Sequence, residues 1–94
     1  MWYYFILQSR QSPSYFYRGT TDDLHAEVMQ HSRGEVAATA ARAPFKLVYY
    51  EAYITERAAK LREMSVRSSH HVLKPLMRRV EESMDAGIPV PTLD

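Results

Sequence analysis

Four side chains in this sequence sit where they could move a proton or hold a charge. Tyr17 stands in Tyr15-Phe16-Tyr17-Arg18-Gly19, where strand alternation puts Tyr15, Tyr17 and Gly19 on one face and Phe16 and Arg18 on the other. A phenol there can relay or accept a proton, and Gly19, lacking a Cβ, allows close backbone approach. Glu27 falls in a helical stripe with Leu24, Val28 and His31. A carboxylate in that stripe calls for a partner, and a nearby Arg or His is the simplest one. Glu63 lines up with Ala59 and Val66 on a later helical segment. A lone helical Glu is ordinarily solvated, yet one carboxylate can also hold a Mg²⁺ that keeps most of its waters.

Other chemistry-bearing residues are less tightly placed. Lys60, Arg62, Arg67, Lys74, Arg78 and Arg79 face a single acid, Glu63, between positions 60 and 79. Such a run is either a phosphate patch or a solvated helical face. His70-His71 is too closely spaced for both rings to meet one metal from a helix, and it reads as a helix-entry feature. With no cysteine in the chain, disulfides and thiolate metal sites are excluded.

These residues need a scaffold, and 94 residues provide one domain with a modest core. At 46% hydrophobic and 24% charged, the composition is that of an ordinary globular protein. Seven Tyr, three Phe and one Trp add large buried areas that help so small a core hold together. The net charge of +1 gives no reason by itself to expect a polyanionic partner. No apolar run reaches membrane-spanning length, and the start lacks the layout of a signal peptide, so a cytoplasmic protein is the default expectation.

Residues 2–8 are apolar on both alternating faces, which predicts a strand in the middle of its sheet. Polar Arg10-Gln11-Ser12-Pro13-Ser14 reads as a hairpin connection into a second strand over 15–19. Thr21 or Asp22 can cap a helix over about 22–33, and Gly34 is placed to end it. The Ala-rich stretch 35–44 reads as a loop, and 45–54 as a third strand buried on both faces. Thr55 caps a second helix over about 56–67, and Pro75 suits the first turn of a third, running to about Ala86. The order β-β-α-β-α-α predicts an α+β domain over residues 1–86, with a three-stranded, mainly antiparallel sheet flanked by helices. Residues 87–94, rich in Gly and Pro, read as a C-terminal tail.

The strand Trp2-Tyr3-Tyr4-Phe5-Ile6-Leu7, the motif Tyr17-Arg18-Gly19, the helix start Thr20-Thr21-Asp22-Asp23-Leu24, the run Phe45–Tyr53 and Ala59-Lys60-Leu61-Arg62-Glu63 together resemble the GIY-YIG nuclease superfamily. The likeness covers roughly residues 1–67 and is greatest to the small stand-alone bacterial members. It implies a metal-dependent hydrolase of DNA phosphodiesters, using Mg²⁺ or Mn²⁺. The implied site combines a Tyr on each of the first two strands, an Arg on the first helix and a metal-binding Glu on the second. Those types suit the reaction, which needs proton handling, a fork of donors for phosphate and a cation against the charge that builds up.

Carried over position by position, the second-strand Tyr is Tyr17 and the metal-binding Glu is Glu63. His31 matches a His common in the small members, with either a core-edge or a phosphate-contacting role. The first-strand Tyr falls on Phe5, which has no hydroxyl, and the helix Arg falls on Glu27, a reversal of charge. Tyr3 shares the face of Phe5 but lies about two residues of rise away, roughly 6–7 Å. Arg18 is turned away from Tyr17 by alternation. The expectation is a GIY-YIG-like domain whose catalysis is impaired by Phe5 and Glu27, with DNA as its partner and a homo-oligomer as a possible state. The alternative is a non-catalytic module on the same fold that binds nucleic acid or protein.

Overall fold

A computed structural model describes residues 1–85. Its elements run β1 (Trp2–Ser9), β2 (Phe16–Thr21), α1 (Leu24–Ser32), a 3₁₀ turn (Ala40–Arg42), β3 (Phe45–Tyr53), α2 (Glu56–Ser68) and α3 (His70–Asp85). The α+β order expected from the sequence is therefore observed. The predicted tail, 87–94, lies outside the described residues.

The sheet is antiparallel with order β2-β1-β3, so the doubly apolar β1 is central. Its side chains serve two cores, one on each face. Tyr4 and Ile6 pack with Val48, Val66, Leu76 and Val80 beneath α2 and α3. Phe5 and Leu7 pack with Val28, Phe45 and Leu47 beneath α1. Between them the β1–β3 register slips: Ile6 faces Tyr49 while Leu7 faces Leu47, leaving Val48 as an extra residue in a bulge. The bulge lets both Val48 and Tyr49 reach the core under α2 and α3.

Two of three local details differ from the sequence reading. The cap of α1 is Asp23, which accepts from the Ala26 N–H at 3.0 Å, and Thr21 instead accepts from the Asp23 N–H at 3.0 Å. Both are capping chemistries, and a run of four Thr and Asp residues offers several registers for them. Gly34 does end the helix, at φ 72°, with its N–H on the His31 carbonyl and that of Glu35 on Gln30. Pro75 lies inside α3 rather than in its first turn. The lost backbone bond is outweighed because Val72, Leu73, Leu76 and Val80, on both sides of Pro75, bury against the sheet.

Two polar ties hold α1 and α2 in register with the sheet. Ser32 Oγ donates to the Phe45 carbonyl at 2.8 Å and accepts from the Phe45 N–H at 3.1 Å, fixing the end of α1 to the start of β3. On the other face, the Glu51 carboxylate receives four bonds: Tyr49 and Tyr53 hydroxyls at 2.5 Å each, and Arg62 Nε and Nη2 at 2.9 and 3.1 Å. Burial would raise the Glu51 carboxyl, but these donors outweigh it and hold the pKa below its ordinary value. Burial, together with the Glu51 carboxylate, pushes the Tyr53 phenol up to about 12.

Candidate active site

Tyr17 is the meeting point of two groups of side chains. On one side a chain of contacts runs Phe5, Tyr17, His31, Glu27. The rings of Phe5 and Tyr17 lie 6.1 Å apart between centroids, and those of Tyr17 and His31 only 4.5 Å. Glu27 Oε2 is 3.2 Å from His31 Nε2, one turn along α1. The partner that the carboxylate required is thus His31. Phe5 is fully buried and packs across Gly19, where an added Cβ would lie 3.1 Å from Phe5 Cζ. Only glycine leaves that passage open.

His31 is almost completely buried and bonded at both nitrogens, with Nδ1 2.7 Å from Thr39 Oγ1. A carboxylate can only accept, so Nε2 carries the proton donated to Glu27. In the neutral ring that burial favours, Nδ1 then presents its lone pair to the Thr39 hydroxyl. This assigns a neutral Nε2–H tautomer. Burial lowers the His31 pKa below its ordinary 6.5, and Glu27 pulls in the opposite direction without cancelling it. The unfolded chain therefore binds this proton more readily than the folded one. The folded state should be most stable above pH 6.5 and lose stability as the pH falls through that value, by up to about 1.4 kcal/mol per unit. Urea melts between pH 7 and 5 should show this slope, and His31→Gln should flatten it. Equal slopes in the two proteins would rule out a neutral buried His31.

On its other side Tyr17 joins the wall of a cleft of about 270 Å³ between β2 and α2. Tyr4, Phe16, Arg18, Glu63, Val66, Arg67 and Leu73 complete that wall. The structure bears out the alternation argument about Arg18 but limits its consequence. Its side chain does leave the opposite face from Tyr17, but β2 is an edge strand, and the cleft wraps round that edge to take in both. Tyr17 is kept protonated: burial raises its phenol pKa, and the charges of Glu27 and Glu63 raise it further. It is suited to donate a hydrogen bond rather than to act as a base at neutral pH.

Of the expected site residues, Phe5, Tyr17, Glu27 and His31 form one contiguous cluster, and Glu63 lines the same cleft as Tyr17. Tyr3 does not join them, its ring packing edge-on against Tyr50. Glu63 pairs with Arg67, whose side chain is 72% exposed. Among the described residues no group of three His, Cys, Asp or Glu side chains gathers as a metal cluster would. A single carboxylate still fits a largely hydrated divalent ion, because Glu63 borders an open cleft and its exposed partner can exchange into solvent.

The basic run is partly spent within the domain, since Lys60 pairs with Glu56, Arg62 with Glu51 and Arg67 with Glu63. Sequence reasoning missed Thr39, which sits in an Ala-rich loop with no signal, and Tyr4. It also missed Glu51. There a signal existed, because Tyr49, Glu51 and Tyr53 share one strand face at a spacing of two.

A three-stranded antiparallel sheet with a Tyr on its edge strand, a His on the first helix and a Glu on the second is the frame of a nuclease-type domain. The sequence comparison agrees: the chain belongs to the GIY-YIG catalytic domain family, whose match spans residues 1–71. It is similar to the UPF0213 protein HQ_3675A of Haloquadratum walsbyi (strain DSM 16790 / HBSQ001). The two are 31% identical over 88 residues, covering 93% of this chain and 97% of that protein. No solved structure matches the chain. Among the described residues no helix is long and apolar enough to cross a membrane.

Proposed function

We propose that this protein is a GIY-YIG domain that engages DNA phosphodiesters but hydrolyses them slowly. The observation that carries this reading is the pairing of Glu27 with His31 beside Tyr17, in the place where the family's cation would meet phosphate. A carboxylate there repels the substrate, and a missing donor in a comparable site costs about 3–4 kcal/mol in the barrier. Phe5 supplies no proton, and Tyr17 is held in its protonated form.

In this reading Glu63 would hold Mg²⁺ or Mn²⁺, which when bound supplies charge neutralisation and a more acidic water. Tyr17 donates a hydrogen bond to a phosphate oxygen. His31, fixed by Thr39 and Glu27, orients the Tyr17 ring by packing against it. The expected behaviour is weak cleavage with Mn²⁺ that disappears in Glu63→Ala, assayed side by side on branched, single-stranded and duplex DNA. Cleavage that survives the substitution would sink the assignment of Glu63. DNA binding with no cleavage by either protein would transfer the reading to the non-catalytic module.

A further inference from the structure

Among the described residues, two buried side-chain polar atoms have no hydrogen-bond partner: the Tyr4 hydroxyl and Arg18 Nε. Both residues line the same cleft between β2 and α2. Unsatisfied buried donors are uncommon because each forgoes its bonds to water on folding, so two on the walls of one cleft call for an explanation. They are near neighbours by construction. Tyr4 pairs with Thr20 and Ile6 with Arg18 across β1 and β2, so the two side chains leave the same sheet face on a diagonal.

We propose that this cleft is a phosphate-binding site, in which Arg18 and Tyr4 hold one phosphodiester group of a nucleic acid. The proposal rests on the reading of the domain as one that engages phosphodiesters, and it deepens that reading by naming the donors. Tyr4 is a donor at any physiological pH, because burial pushes its phenol up to about 12. Arg18 supplies a charged planar fork matched to phosphate oxygens. Arg67 borders the same cleft and can turn from Glu63 towards an anion, while Phe16 and Tyr17 offer aromatic faces beside it for a base.

The cleft thus contains both functional groups missing from the cluster of Phe5 and Glu27. The phenol is displaced by one residue along β1, at position 4 instead of 5, and the guanidinium stands on β2 at position 18 instead of on α1 at 27. The displacement moves phosphate recognition to the other side of the β2 edge, away from the Glu27 carboxylate.

The test needs no hydrolysis. Inorganic phosphate, titrated into the full chain, should shift the Arg18 Nε–H resonance saturably, and a thymidine dinucleotide should do so at lower concentration. Arg18→Gln and Tyr4→Phe should each weaken binding by about tenfold, the loss expected for one strong hydrogen bond. Lys60→Gln, on the exposed face of α2, should leave it unchanged. Tyr4→Phe removes only an unpartnered oxygen, so its melting temperature should stay level or rise while phosphate affinity falls. A resonance that does not move, or a Tyr4→Phe variant that binds as well as the original, overturns the proposal. A dinucleotide that binds more weakly than phosphate overturns its assignment to nucleic acid. Failure of DNA cleavage with phosphate binding intact would count against the hydrolytic reading alone.

Discussion

Combining Glu27→Arg with Phe5→Tyr should raise Mn²⁺-dependent DNA cleavage by at least about 10²-fold, the factor associated with a single preorganised donor. Phe5 Cζ lies against Gly19, so a hydroxyl added there has no Cβ to meet at that position. Glu27 is about a quarter exposed, enough for a longer Arg to reach out beside Tyr17. The substitution also removes the partner of His31 Nε2, so stability should fall by about 1 kcal/mol, the worth of one ordinary hydrogen bond. Binding to DNA should tighten, with its salt dependence steeper by about one unit for each additional phosphate neutralised. Cleavage rates and salt titrations on the single and double variants separate the two residues. If the double variant is no faster than the original chain, Phe5 and Glu27 are not what limits the reaction.

The largest effect on stability should come from Glu51→Ala. One carboxylate there accepts from two phenols and from the Nε–Nη2 edge of a guanidinium, and its side chain is only 17% exposed. Truncation strands four donor groups on three side chains at once, two of them on half-buried tyrosines. The expected cost is about 2–4 kcal/mol, less than for a fully buried pair because water reaches part of the network. For a domain of this size that lowers the melting temperature by roughly 10–20 °C. Glu51→Gln should cost less, since its shape and two of the four bonds survive. The effect should extend to the site, because Arg62 precedes Glu63 and the tie to Glu51 sets how α2 lies on the sheet. Thermal melts giving a loss below about 1 kcal/mol for Glu51→Ala would show the network to be ornamental.

Much of the scaffold is legible in the chain because it is written in local periodicity. The run Trp2–Leu7 is apolar at every position, and only a central strand buries both faces, which is where β1 lies. Thr55 and Gly34 mark helix ends through capping chemistry that acts within a few residues. Helix α3 begins earlier than Pro75 would suggest, because packing of its neighbours against the sheet overrides that residue's strong local preference.

Residue identity settles which groups are available to the chemistry. Position 5 bears no phenol and position 27 a carboxylate, whatever the fold does with them. Which of those groups meet is settled only by packing. Side-chain alternation correctly turns Arg18 away from Tyr17, yet the open edge of β2 brings both into one cleft with Tyr4 and Glu63. Thr39 meets His31, and Arg62 meets Glu51, across loops and elements whose separation along the chain carries no periodic signal. Periodicity reports the face a side chain leaves from; what it meets there depends on how the helices lie over the sheet and on where the sheet ends.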